Sequence, residues 1–348
     1  MTVMSETTPG AASTKRQFSK FQTWYGLQRG RGALEVGVMF LLIQGGLILW
    51  YLIDSTKLAY LDRGNLGVMS QSIGYLALLT IGSGIVMMVG EIDLSVGANM
   101  GMSAIVFLTW YSGGHSAIVS MLVCIAVGTV IGIANGLLVN YTHIPSLIAT
   151  LGMVGFLWAA QIWYSGGDNM EAPRVKVYDK TFEKLVSGNM FAGIRAQFAW
   201  LLLVTVIVWI FIHRHRLGNH ITAVGGNEQA AKAISINPNK VRLIAFGLLG
   251  ALAGVAAIFI SVQGKTMLPG NTINFNLDAI AGAVIGGTAV RGGKGSVLGM
   301  LLGAILLKSF KTVVFLSPLF PAFYEKFFTG VMLVIFAVIN QYFERKAE

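Results

Sequence analysis

The sequence predicts an all-α integral membrane protein of about ten transmembrane helices, some of them short or broken. Three observations carry that prediction. Of the 348 residues, 55% are hydrophobic and 11% are charged, whereas soluble domains carry about 25% charged residues. Apolar runs near the roughly 20 residues that cross hydrocarbon recur along the chain. The 43 glycines suit helices that pack through small faces in lipid.

Residues 1–32 are polar and carry Lys15, Arg16, Lys20, Arg29 and Arg31. No small-residue cleavage site follows the first apolar run, so this segment reads as a disordered cytoplasmic tail before an uncleaved first helix. The transmembrane domain is expected over 33–343, with a second cytoplasmic tail at 344–348. Spans are expected near 34–53, 66–89, 98–112, 117–139, 146–164, 197–212, 243–262, 278–290, 296–316 and 327–342. Ten crossings with the basic tail inside put both termini in the cytoplasm, and the remaining Lys and Arg favour that orientation. The loop at 165–196 is then periplasmic and holds a short helix near 178–186. The net charge of +10 belongs to membrane-edge loops, not to nucleic-acid binding.

The longest polar insert of the second half lies at 213–242. Within it, Gly225 and Gly226 allow a tight turn, and Asn227 has the N-cap chemistry for a short helix over 227–236. Glu228 sits in the first turn, where a carboxylate favours the helix dipole. Ala230 and Ala231 give a small surface for another protein, and Asn237-Pro238 ends the helix. A plain solvated loop is the competing reading.

Glycines four apart mark four spans: Gly128, Gly132 and Gly136; Gly250 and Gly254; Gly282 and Gly286; Gly299 and Gly303. Such faces let backbones approach closely, so these glycines read as packing positions.

Two expected spans are short, 98–112 and 278–290. They adjoin the Gly-interrupted stretches GEIDLSVG (90–97) and GGTAVRGGKGS (286–296). Interrupted segments in the two halves point to a transport pathway. Glu91, Asp93, Ser95, Asp278 and Arg291 are the pathway candidates there, because ionisable groups near membrane depth are costly. Helix capping is the alternative for Asp93 and Asp278. For Arg291 it is an anchor behind a helix C-terminus.

Enzymatic chemistry finds no support. No Ser/His/Asp set is evident, and GKT at 264–266 has Phe259 where a phosphate loop needs glycine. The lone Cys124 and the pair His213 and His215 make no metal site.

The stretches IDLSVG (92–97), IGIANGLLVNYTHIPSLIATLG (131–152), AVGGNEQAAKAISINPNKVR (223–242) and DAIAGAVIGGTAVRGGKGSVLGMLLGA (278–304) resemble the permease subunits of bacterial sugar ABC importers of the ribose/galactose/arabinose/xylose type. The resemblance runs in order over about 37–343. It implies a ten-helix fold with two inverted repeats in the bacterial inner membrane. It also implies a second permease copy in a homodimer, a cytoplasmic ATP-binding subunit and a periplasmic sugar-binding protein. ATP and Mg would bind the partner ATPase, and no cofactor this chain. By that resemblance Gly225–Arg242 docks on the ATPase, with Ala230 and Ala231 entering a groove on it.

Three positions depart from the family pattern. Glycine more often stands at Glu91, a small residue at Arg291 and proline at Ser146. Restoring glycine at 91 is therefore expected to leave transport intact. The expectation is an importer permease that moves a monosaccharide or similar polar solute by alternating access. The alternative is a proton-coupled secondary transporter using Glu91 or Asp93.

Overall fold

The structure, a computed structural model, describes residues 31–53, 59–166, 179–317, 321 and 324–347. Most of the expected N-terminal tail and the first part of the 165–196 loop lie outside the described residues.

Thirteen helices occur among the described residues, and no strand beyond a single bridge between Asn189 and Arg195. They are α1 (Arg31–Ile53), α2 (Arg63–Met88), α3 (Val96–Ser112), α4 (Ala117–Thr142), α5 (Ser146–Ser165), α6 (Lys180–Ser187), α7 (Ala196–His213), α8 (Arg216–Gly226), α9 (Glu228–Ala233), α10 (Pro238–Gly264), α11 (Phe275–Ile285), α12 (Val297–Leu316) and α13 (Tyr324–Ala347). Each of the ten expected spans corresponds to one helix. Among the described residues, seven are long and apolar enough to cross a bilayer.

Some boundaries differ from expectation, for local reasons. The eighth span was expected at 278–290, but α11 ends at Ile285, where Gly286 and Gly287 turn the chain. The last helix continues to Ala347, through residues expected to form a tail. Asn237-Pro238 does not end the coupling helix but starts α10. The Asn237 side chain accepts from Lys240 N–H, and Pro238 occupies the first turn, where its missing N–H costs nothing.

The glycine faces pair two by two. A Cβ on Gly132 would lie 2.2 Å from Phe246 O, and one on Gly250 2.2 Å from Gly128 O. This joins α4 to α10 with backbones in contact. A Cβ on Gly303 would lie 2.2 Å from Gly282 O, and one on Gly299 2.3 Å from Gly286 O. This joins α11 to α12 in the same way. Between the two pairs runs α2, buried along most of its length and packed against α10, α11 and α12.

Candidate coupling face and broken helices

The 213–242 insert folds as two short helices at one end of the bundle. Asn227 caps α9, accepting from Ala230 N–H at 3.0 Å. The helix before it, α8, has no counterpart in the expectation. Gly225 and Gly226 finish α8 instead of forming a free turn. Their need for glycine comes from contact. A Cβ on Gly225 would lie 1.9 Å from Met88 O and 2.7 Å from Gly293 N. Gly293 N–H donates to Met88 O at 2.9 Å. Three segments thus meet backbone to backbone: the end of α2, the α8–α9 junction and the 291–293 turn.

Charges tie the same junction. Arg242 Nε lies 2.8 Å from Glu91 Oε1, an ion pair rather than an aligned hydrogen bond. The other end of the guanidinium pairs with Glu228, which also takes Lys232 at 2.7 Å. The hydrogen bond from Lys232, and then Arg242, hold the Glu228 carboxyl below the usual carboxylate range. Glu91 therefore stands at the coupling end of the bundle, beside the start of α10. Arg291 is exposed at this same end.

Burial divides the α9 residues. Gln229, Ala230, Ala233 and Ile234 are exposed, while Ala231 is 2% exposed and Pro238 is buried. The expectation that Ala231 enters a groove on a partner is corrected here. Its methyl packs against this chain's own core. Glu228 is likewise engaged within the chain. Sequence reading found the helix and its cap but not its orientation, because six residues carry too little periodicity to choose a face.

The first interrupted stretch runs into the bundle, where it meets α5 and the segment before α11. From Glu91 the chain climbs beside α5: Ile92 N–H donates to Ser146 Oγ (3.1 Å) and Leu94 N–H to Thr150 Oγ1 (3.0 Å). Gln161 Nε2 then donates to Ala98 O at 3.0 Å. Ser146 and Gln161 lie about 22 Å apart along α5, at 1.5 Å per residue. Residues 92–95 thus run beside α5 without a helix, and α3 begins within the bundle at Val96.

From the other side, the segment before α11 dips inward. Thr272 Oγ1 donates to Gly97 O (2.7 Å), Asn276 Nδ2 to Leu94 O (3.0 Å), and Gly270 N–H to Gln161 Oε1 (3.0 Å). The N-termini of α3 and α11 therefore meet inside the bundle. Irregular backbone is tolerated at such depth only when enclosed by protein that satisfies its polar groups.

Asp93 belongs to this crossing. It is buried, and Oδ1 accepts from Ser95 N–H (2.6 Å) and Ser95 Oγ (2.7 Å). Oδ2 accepts from Asn135 Nδ2 at 3.0 Å. Its carboxylate is spent on the turn that opens α3. Asp278 does not cap α11; it lies inside the first turn, bonded to Lys311 Nζ at 2.7 and 2.8 Å. Lys311 also meets Glu325 at 3.1 Å, which ties α11, α12 and α13 together. Lys311 lies inside the span expected at 296–316, and nothing local in the sequence marks Asp278 and Glu325 as its partners.

A family model described as "Branched-chain amino acid transport system / permease component" matches residues 66–337. The autoinducer 2 import system permease protein LsrC of Enterobacter sp. (strain 638) is 34% identical over 284 residues, 81% of this chain and 80% of its own length. LsrC of Salmonella paratyphi B is 32% identical over 278 residues, 79% of this chain and 78% of its own. LsrC of Escherichia coli (strain K12 / DH10B) is 30% identical over 289 residues, 81% of this chain and 82% of its own. No solved structure matches.

Proposed function

The chain belongs to this permease family, and on that premise we propose how it couples, pairs and selects. It is a multi-pass inner-membrane permease subunit of a sugar-type ABC importer, a transport component and not an enzyme. Such an importer works with a partner ATPase, which binds the nucleotide, and with a solute-binding protein.

Beyond that, the α8–α9 hairpin is the element that docks on the ATPase. One observation carries this reading: the hairpin is linked to both interrupted stretches at once, directly through Gly225 against Gly293 and, through Glu228 and Arg242 of α10, to Glu91. A push on α9 therefore reaches both broken spans without passing through lipid-facing helices. Docking uses the exposed Gln229, Ala230, Ala233 and Ile234, beside a cavity of about 360 Å³ lined by Lys232, Ile236, Asn237 and Asn239.

The coupling end and both termini are cytoplasmic, and two copies of the chain form the pathway. The solute is a small polyhydroxylated molecule of monosaccharide type; the relatives named above import autoinducer 2. The proton-coupled alternative loses its candidate groups, since Glu91 is ion-paired and Asp93 closes a turn.

The test is uptake into vesicles holding permease and ATPase, with the binding protein supplied inside-out or right-side-out. Uptake that needs ATP on the α9 side and the binding protein on the other supports the reading. Uptake driven by a proton gradient without ATP refutes it.

A further inference from the structure

The helix α5 is joined to the bundle more by hydrogen bonds than by packing. Four of its 20 residues are buried, Ser146, Thr150, Leu157 and Gln161, and three of those four are polar. Its outward surface holds the exposed Ile148, Leu151 and Phe156, and Gly152 and Gly155 have open space around them. Each of the three buried polar side chains bonds the backbone of another segment.

At the coupling end, Ser146 and Thr150 stand four residues apart. Four helical residues advance about 6 Å, and two residues of extended chain advance roughly 6.6 Å. One hydroxyl per turn thus meets every second N–H, of Ile92 and then of Leu94, at 3.1 and 3.0 Å. The hydroxyls supply acceptors that a segment without helix or sheet partners lacks. At the far end, the amide of Gln161 serves both crossing segments at once. Nε2 donates to Ala98 O in α3, and Oε1 accepts from Gly270 N–H ahead of α11, both at 3.0 Å. Gly270 is pressed on the same turn of α5. Its φ is 80°, and a Cβ there would lie 2.8 Å from Trp158 Nε1.

Glu91, the neighbour of Ile92, is held by Arg242, which also holds Glu228 of α9. Contacts therefore run unbroken from α9 through Arg242, Glu91 and Ile92 to Ser146. They continue for about 22 Å along a stiff helix and leave through Gln161 to Gly270. Coupling over such distances is carried by hydrogen-bond networks and rigid elements of this kind. We propose that α5 is the strut that carries a shift of the coupling hairpin to the opposite end of the bundle, with Ser146, Thr150 and Gln161 as its positioning residues. This rests on α9 docking on the ATPase, where the shift enters.

The experiment uses the permease–ATPase complex in nanodiscs, in a Cys124→Ala background, with a fluorophore on Leu268→Cys. Leu268 is 54% exposed and opens the turn at Gly270, accepting from Asn271 N–H at 3.2 Å. Addition of ATP and vanadate is expected to shift the emission. Ser146→Ala, Thr150→Val and Gln161→Leu are each expected to lose that shift while the ATPase still co-purifies. Ser146→Thr and Thr150→Ser keep the hydroxyl and are expected to keep the shift. A role in folding alone would lower the melting temperature and leave the shift intact in the protein that folds. A full shift in Ser146→Ala and Thr150→Val overturns the proposal. So does an equal loss in Thr150→Ser and Thr150→Val, or the lack of any shift in the wild-type complex with its ATPase bound. Where Thr150→Val does not fold, Ser146→Ala at the helix end decides. A wild-type permease that binds no ATPase refutes the importer reading itself, a separate outcome.

Discussion

Arg242, near the start of α10, holds Glu91 at 2.8 Å, across about half of the transmembrane domain in sequence. The pair joins the start of the first broken span to the helix that follows the coupling hairpin. Family resemblance alone leads to the expectation that Glu91→Gly transports well. The ion pair reverses that expectation. Both side chains are largely buried, and the Glu228 contact of Arg242 remains in the variant. Glu91→Gly and Glu91→Gln are expected to keep the ATPase bound but lower solute uptake per ATP hydrolysed by roughly 5- to 30-fold, the equivalent of about 1–2 kcal/mol. Paired uptake and ATPase assays decide this. Normal coupling in Glu91→Gly would show that the pair is ornamental.

The two adjacent alanines of α9 should behave differently. Ala230 is exposed and Ala231 is buried. Ala230→Trp is expected to cut co-purification of the ATPase, since overfilling a packed interface costs about 1–3 kcal/mol. Ala231→Trp is expected instead to lower the melting temperature of the permease by itself in detergent. Equal effects on ATPase binding, with no change in melting, would mean the docking face is wrongly oriented.

Glycines of the chain divide sharply by what surrounds them. Gly132→Ala places a methyl 2.2 Å from Phe246 O and must push α4 from α10. A loss of folded protein, or a destabilisation of about 1–3 kcal/mol, is expected. Gly152 on α5 has nothing within 4 Å, so Gly152→Ala should be neutral or stabilise by about 0.4–1 kcal/mol. Thermal melts of the two variants side by side test the α4–α10 contact.

Lys311 is the hub of a cation–carboxylate cluster within the membrane domain. Lys311→Met strands Asp278 and is expected to destabilise by about 3–5 kcal/mol, as when one partner of a buried pair is removed. Lys311→Met combined with Asp278→Asn should recover much of that loss. A double variant as unstable as the two losses added together would mean that the residues do not interact.

Topology is open to labelling. Single cysteines at the exposed Ser235 and Asn189, in a Cys124→Ala background, are expected to react from the cytoplasmic and periplasmic sides respectively. Reaction of both from one side would remove the basis of the coupling assignment.

The sequence by itself determined the elements. Apolar length set the spans, and Asn227 set a helix start, because caps and hydrocarbon crossing are satisfied within a few residues of chain; Asn237-Pro238, read as a stop, proved to be the start of α10. It also marked 90–97 and 286–296 as interrupted and the glycine faces as sites of close approach. Tertiary structure alone decided which faces meet. It paired Gly132 with α10 and Gly303 with α11, gave Glu91 to Arg242 and Asp278 to Lys311, and turned Ala231 inward. These are contacts between residues far apart in the chain. A glycine, a carboxylate or a methyl carries no local mark of its partner. Only the packing of the whole bundle, where every buried polar group must find a bond and every gap a side chain, selects one.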